Sequence, residues 1–167
     1  MKKLYLIRHA KSSWDNPDLN DFDRPLNKRG NRDAPFMGNV LSDKNIKPEK
    51  VYSSPAKRAW KTAKEICKKI NFSVEDIVKK ESIYEASSNE LLEIIQTIDE
   101  KVQTVMLFGH NPGLTSLQNF ICDKEIENIP TCGIVSIDLD CLWKEVNKNS
   151  GKLAFLFYGY LGRKENS

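Results

Sequence analysis

Along most of this chain, short apolar runs that stop at a polar or charged residue alternate with stretches of helical periodicity. No other feature limits the fold as strongly, because strands separated by helices pair most readily in parallel. Lys3 to Ile7 reads as a buried strand ended by Arg8-His9. Ser12 to Asp23 is rich in Asn and Asp and lacks periodicity, so it is expected to be a long loop with a functional role. A helix is expected from Leu26 onward, with Asn27 as cap and Ala34, Met37, Val40 and Leu41 as its apolar stripe. Val51 to Ser53 reads as a second strand. Ser54-Pro55 then predicts a capping hydroxyl and a first-position proline for a helix that buries Ala59, Ala63, Ile66 and Ile70.

A weaker strand is expected near Lys80 to Tyr84, followed by a helix carrying Leu91, Leu92, Ile95 and Ile98. Thr104 to Phe108 is a continuous apolar strand that ends at Gly109-His110. Asn111-Pro112 repeats the cap-then-proline start ahead of Leu114, Leu117, Phe120 and Ile121. Ile134 to Leu139 and Leu153 to Tyr158 follow as two strands with no helical pattern between them. This order predicts an α/β fold, a three-layer α/β/α sandwich with a mainly parallel sheet and an antiparallel edge strand.

The chain has 167 residues, enough for a single domain over 1–167 with a sizeable core. Its 26 Lys and Arg against 23 Asp and Glu leave a net charge of +3. That excess does not call for nucleic acid as partner, yet it suits an anionic substrate. The apolar start at Leu4 stops at Arg8-His9, short of the ~7–15 residues of a signal core. No run approaches the ~18 apolar residues of a membrane span. Cys67, Cys122, Cys132 and Cys141 show no C-x-x-C pairing and suit reduced, partly buried thiols. A cytoplasmic protein without membrane contact is the expectation.

In open α/β sheets, ligands bind beyond the carboxyl ends of the parallel strands. Arg8-His9 follows the first strand, Arg58 lies one turn into the helix after the second, and His110 ends the Thr104–Phe108 strand. Parallel strands would bring all three to one crevice, beside helix N-termini near Pro55 and Pro112 with positive dipole ends. Such a set fits a dianion such as a phosphoryl group. Each residue alone has a plainer reading. Arg8 could form a surface ion pair, His110 could serve turn chemistry, and the run Lys57, Arg58, Lys61, Lys64, Lys68, Lys69 could be a solvated helix face. Coincidence at three strand ends, in a chain with two histidines, argues for the site.

Arg8-His9-Ala10-Lys11, Ser53-Ser54-Pro55-Ala56-Lys57-Arg58-Ala59 and Gly109-His110-Asn111-Pro112-Gly113 together resemble the histidine phosphatase (phosphoglycerate mutase-like) superfamily. They resemble in particular its small SixA-like branch of phosphohistidine phosphatases, which Asp23-Arg24-Pro25-Leu26 and Lys28-Arg29-Gly30 also fit. The resemblance runs from Lys3 to about Phe157 and implies a phosphoglycerate mutase-like fold. One departure is Ala10, where the superfamily more commonly has glycine. A second is the lack of room for the inserted lid subdomain of larger members.

Carried over to this chain, the resemblance implies that His9 accepts the phosphoryl group while Arg8, Arg58 and His110 hold its oxygens. Arg24 becomes a further phosphate-side arginine. Glu85, after the weak third strand, is the best-placed candidate proton donor; the competing reading is a solvated loop carboxylate. No cofactor or metal is implied, because the arginines and His110 supply the charge. The expected function is a metal-independent phosphatase, a monomer, that passes through a phosphohistidine intermediate and acts on phosphohistidine in a protein. The alternatives are a broad-specificity phosphomonoesterase for small phosphorylated substrates and a catalytically silent phosphoprotein-binding module. A mutase is disfavoured by the missing lid, and a two-histidine metallohydrolase by the lack of carboxylates at ligand spacing.

Overall fold

The first apolar run becomes the central strand of a seven-stranded sheet, in a computed structural model that describes residues 1–159 and the backbone of 163–165. The strands are β1 (Lys2–Arg8), β2 (Lys50–Ser53), β3 (Val78–Lys79), β4 (Thr104–Gly109), β5 (Ile134–Leu139), β6 (Gly151–Tyr158) and β7 (Arg163–Glu165). The helices are α1 (Lys28–Asp43), α2 (Lys57–Lys69), α3 (Ser88–Gln96) and α4 (Gly113–Ile121). Strand order is β3-β2-β4-β1-β5-β6-β7. The first four strands in that order pair in parallel, as the helical crossovers between them require. β5 runs antiparallel to β1, β6 to β5, and β7 to β6, so the antiparallel side reaches three strands.

Alternation along β1 explains the three layers. Leu4 and Leu6 face the core beneath α3 and α4, with Tyr52, Val105 and Leu107. Tyr5 and Ile7 face the opposite core beneath α1 and α2, with Val51, Met106 and Phe108. Ala34, Met37 and Leu41 of α1 and Ala59, Ala63 and Ile66 of α2 are buried as their spacing predicts. The Asn27 cap also holds, its side chain accepting from Gly30 N–H. Among the described residues no helix is long and apolar enough to cross a membrane.

Three expectations change. The segment near Lys80 to Tyr84 is not a strand: β3 covers Val78–Lys79, and Glu81–Ile83 forms a 3₁₀ turn. α2 starts at Lys57 rather than Pro55, with Ala56 as its cap residue. Likewise α4 starts at Gly113, and Asn111, one place before the cap residue Pro112, accepts from Thr115 N–H at 3.2 Å.

Candidate active site

Parallel register places Arg8 beside Gly109, so the residues after β1 and β4 emerge together. His9 is held on both sides by backbone: its N–H donates to Gly109 O at 3.2 Å, and its carbonyl accepts from Cys132 N–H at 3.0 Å. Ala10 N–H donates to Thr62 Oγ1 at 2.9 Å, and that hydroxyl donates to Arg58 O at 2.7 Å. One threonine of α2 thereby ties the His9 segment to the first turn carrying Arg58. Because α2 starts late, Arg58 is its second residue rather than one turn in.

The long loop is closed at its base, where Asn27 N–H donates to Lys11 O at 2.9 Å and Ser13 N–H to Pro25 O at 2.8 Å. Inside it, a 3₁₀ turn at Asp21–Asp23, capped by Asn20, lays Asp21 against Arg58. Arg58 Nη1 donates to Asp21 O at 2.7 Å and Nη2 to Asp21 Oδ2 at 2.9 Å. Tyr84 Oη donates to the same Oδ2 at 2.7 Å. Arg24 Nε lies 3.4 Å from Asp21 Oδ1, an ion pair without hydrogen-bond alignment. The Arg24 guanidinium sits 3.5 Å above the ring of Trp14, which is 72% exposed on the rim. Burial pushes the Asp21 carboxyl upward, but hydrogen bonds from Tyr84 and Arg58 outweigh it and hold the group below its usual range.

The two histidine rings lie 5.3 Å apart. Burial is the largest influence on His9, and the cations of Arg58, Arg8 and Arg24 add to it, lowering its pKa to about 4. Its Nδ1 lies 2.8 Å from Ala10 O, an acceptor only, so the neutral ring carries its hydrogen on Nδ1 and its lone pair on Nε2. Burial, then Arg58 and His9, lower His110 to about 3. His110 Nε2 meets Ser54 Oγ at 2.7 Å, and Ser54 Oγ also accepts from Ala56 N–H at 3.2 Å. The hydroxyl expected to cap α2 therefore supports His110 instead. Arg8 Nε, Arg24 Nε, Arg58 Nε and His110 Nδ1 are buried without a hydrogen-bond partner. Unsatisfied buried donors are costly in a protein, and three guanidinium N–H groups around one imidazole suit an anion.

The structure thus brings Arg8, His9, Arg24, Arg58 and His110 together. Glu85 is placed beside them rather than among them. It is exposed, in a left-handed conformation at φ 58°, and shares a cavity of 460 Å³ with His110, Ser87, Asn111 and Gly113. Sequence reasoning missed Asp21, Tyr84, Ser54 and Thr62. Nothing in the sequence distinguishes Asp21 from Asp15, Asp18 and Asp23 in the same loop. Among the described residues no three His, Cys, Asp or Glu side chains gather as a metal site.

Residues 4–130 match the profile of the histidine phosphatase superfamily (branch 1). An uncharacterised chloroplast protein of Arabidopsis thaliana is 31% identical over 159 residues, covering 90% of this chain and 72% of the relative. A candidate phosphohistidine phosphatase SixA from Agrobacterium tumefaciens superposes with a TM-score of 0.82 at 29% identity, covering 95% of this chain and 98% of that one. A protein histidine phosphatase SixA solved with tungstate has the same fold, with a TM-score of 0.80 at 22% identity over 92% of this chain and 95% of that one.

Proposed function

Because the chain belongs to the histidine phosphatase superfamily and is a phosphatase, we propose that it acts through a phosphoryl group carried on His9 and that its substrate is phosphohistidine on a protein. The observation that carries this reading is the state of His9, a neutral imidazole with its lone pair on Nε2 among buried donors without partners. Nε2 attacks phosphorus in line, and the N–P bond to His9 forms as the bond to the substrate imidazole breaks. The substrate ring, protonated from solvent on its other nitrogen, leaves as a neutral imidazole with the N–P electron pair on the freed nitrogen. Water then attacks phospho-His9, its proton passes to solvent, and inorganic phosphate departs as His9 regains its lone pair.

In this scheme the cations of Arg8, Arg24 and Arg58 oppose the charge that spreads over the phosphoryl oxygens, whereas His110, which burial keeps neutral, can offer a ring N–H but not the charge expected of it from the sequence. Orientation comes from Ser54 on His110 and from Asp21 on Arg58, each through the hydrogen bonds described above. Phosphohistidine is favoured over esters because an imidazole leaves without a strong acid, and among the described residues the one carboxylate lining the His110 cavity, Glu85, is exposed.

The cavity shared by His110 and Glu85 favours a second reading, a small-molecule phosphomonoesterase with Glu85 as proton donor. Turnover of a chemically phosphorylated histidine protein against that of phosphoserine and sugar phosphates separates the two. The first reading expects kcat/KM for the phosphohistidine protein to exceed that for the esters by about a hundredfold or more. Parity, together with loss of ester turnover in Glu85→Gln, would establish the second.

A further inference from the structure

We infer that the groove beside the first turns of α2 docks an acidic segment of the phosphoprotein; this inference rests on the phosphoprotein reading above. The groove, 170 Å³ in volume, is lined by Pro25, Leu26, Lys57, Trp60, Lys61 and Lys64, with Asn31 at one side. Its lining contains three lysines and no carboxylate. Pro25 follows Arg24 directly and Lys57 precedes Arg58, so both sides of the groove are continuous in the chain with the phosphate-side arginines.

Its floor and walls suit a peptide. Trp60 is half-buried and its ring carries Lys64 Nζ at 5.6 Å and Lys79 Nζ at 4.2 Å. Lys57, Lys61, Lys64 and Lys68 recur at three- and four-residue spacing, so they form one stripe along α2. Lys61 and Lys68 share Glu65, at 2.7 and 3.7 Å, so Lys61 is already matched by a carboxylate and Lys57 and Lys64 are the groove lysines left to meet an acidic segment. From Lys57 to Lys64, the groove's extent along α2, the helix rises about 10 Å, the reach of about three extended residues. That length fits a short run of carboxylates flanking the phosphorylated residue, which three lysines and no carboxylate in the lining would match in charge. Charges of this kind set partner choice and encounter rate more than final affinity.

The test uses the full chain and two chemically phosphorylated histidine peptides, one flanked by glutamates and one by glutamines. At low salt the wild type should turn over the glutamate peptide with a kcat/KM about five- to tenfold higher. Lys57→Gln/Lys64→Gln should abolish the preference and leave aryl phosphate turnover unchanged. Equal turnover of the two peptides, or a preference that survives in the variant, would overturn the inference. Calorimetric titration with the unphosphorylated glutamate peptide reads docking apart from chemistry. Wild-type binding that is lost in the variant supports docking even where phosphohistidine turnover fails. A single-stranded oligonucleotide of equal length that binds more tightly than the peptide would contradict an acidic protein as the occupant.

Discussion

Acidification offers a direct probe of the environment around His9. The buried ring titrates at about 4, against an ordinary 6.5 for the unfolded chain. Between those values the unfolded chain holds a proton at this position that the folded chain does not. Stability contributed by the neutral ring is therefore complete above pH 6.5 and is lost as pH falls through that window to about 4. At about 1.4 kcal/mol per pH unit, the difference amounts to about 3 kcal/mol. Burial accounts for the largest part, since His9 is 7% exposed, and the arginines add the rest against the pull of the Ala10 carbonyl. The assay is urea unfolding of wild type and His9→Gln between pH 4 and 8. Glutamine cannot titrate, so the stability of wild type relative to the variant should fall by about 3 kcal/mol across the window. Parallel curves would refute the reasoning, because they would mean that His9 is as free to protonate folded as unfolded.

Asp21→Ala removes the acceptor of Arg58 Nη2 and of Tyr84 Oη. Aryl phosphate kcat/KM should fall about tenfold or more as the guanidinium loses its orientation. The Tyr84 phenol, pushed up to about 12 by burial and then by Asp21, should titrate lower by ultraviolet difference spectroscopy. Ser54→Ala deletes the 2.7 Å partner of His110 Nε2, and denaturant unfolding should register a loss of about 1 kcal/mol. Gly30→Ala would drive a Cβ into Lys11 O at the base of the loop, and thermal or urea unfolding should show a cost of about 1–3 kcal/mol.

Strands whose apolar runs end abruptly were legible in the sequence, and with them the convergence of Arg8, Arg58 and His110. β1, β2 and β4 are buried through most of their length, so local pattern and tertiary burial agree. β3 was misplaced because its two residues, one half-buried and one exposed, have no pattern to read. Ser54 looked like a cap because a hydroxyl before proline usually is one. Its oxygen instead meets a histidine 56 positions away. Asp21 was illegible for a related reason. Its role depends on the loop closing between Lys11 and Asn27, which lays it on an arginine 37 positions distant. Local chemistry specified the elements, whereas these pairings depend on contacts made only once the sheet is assembled.

The central claim is that the phosphoryl group passes through His9. Brief acid-free quenching after mixing with a labelled phosphoramidate or aryl phosphate, followed by peptide mass analysis, measures this most directly. The account predicts label on the peptide bearing His9, stable to base and labile to acid, and absent in His9→Ala together with turnover. Label on His110, or full turnover in His9→Ala, would contradict it.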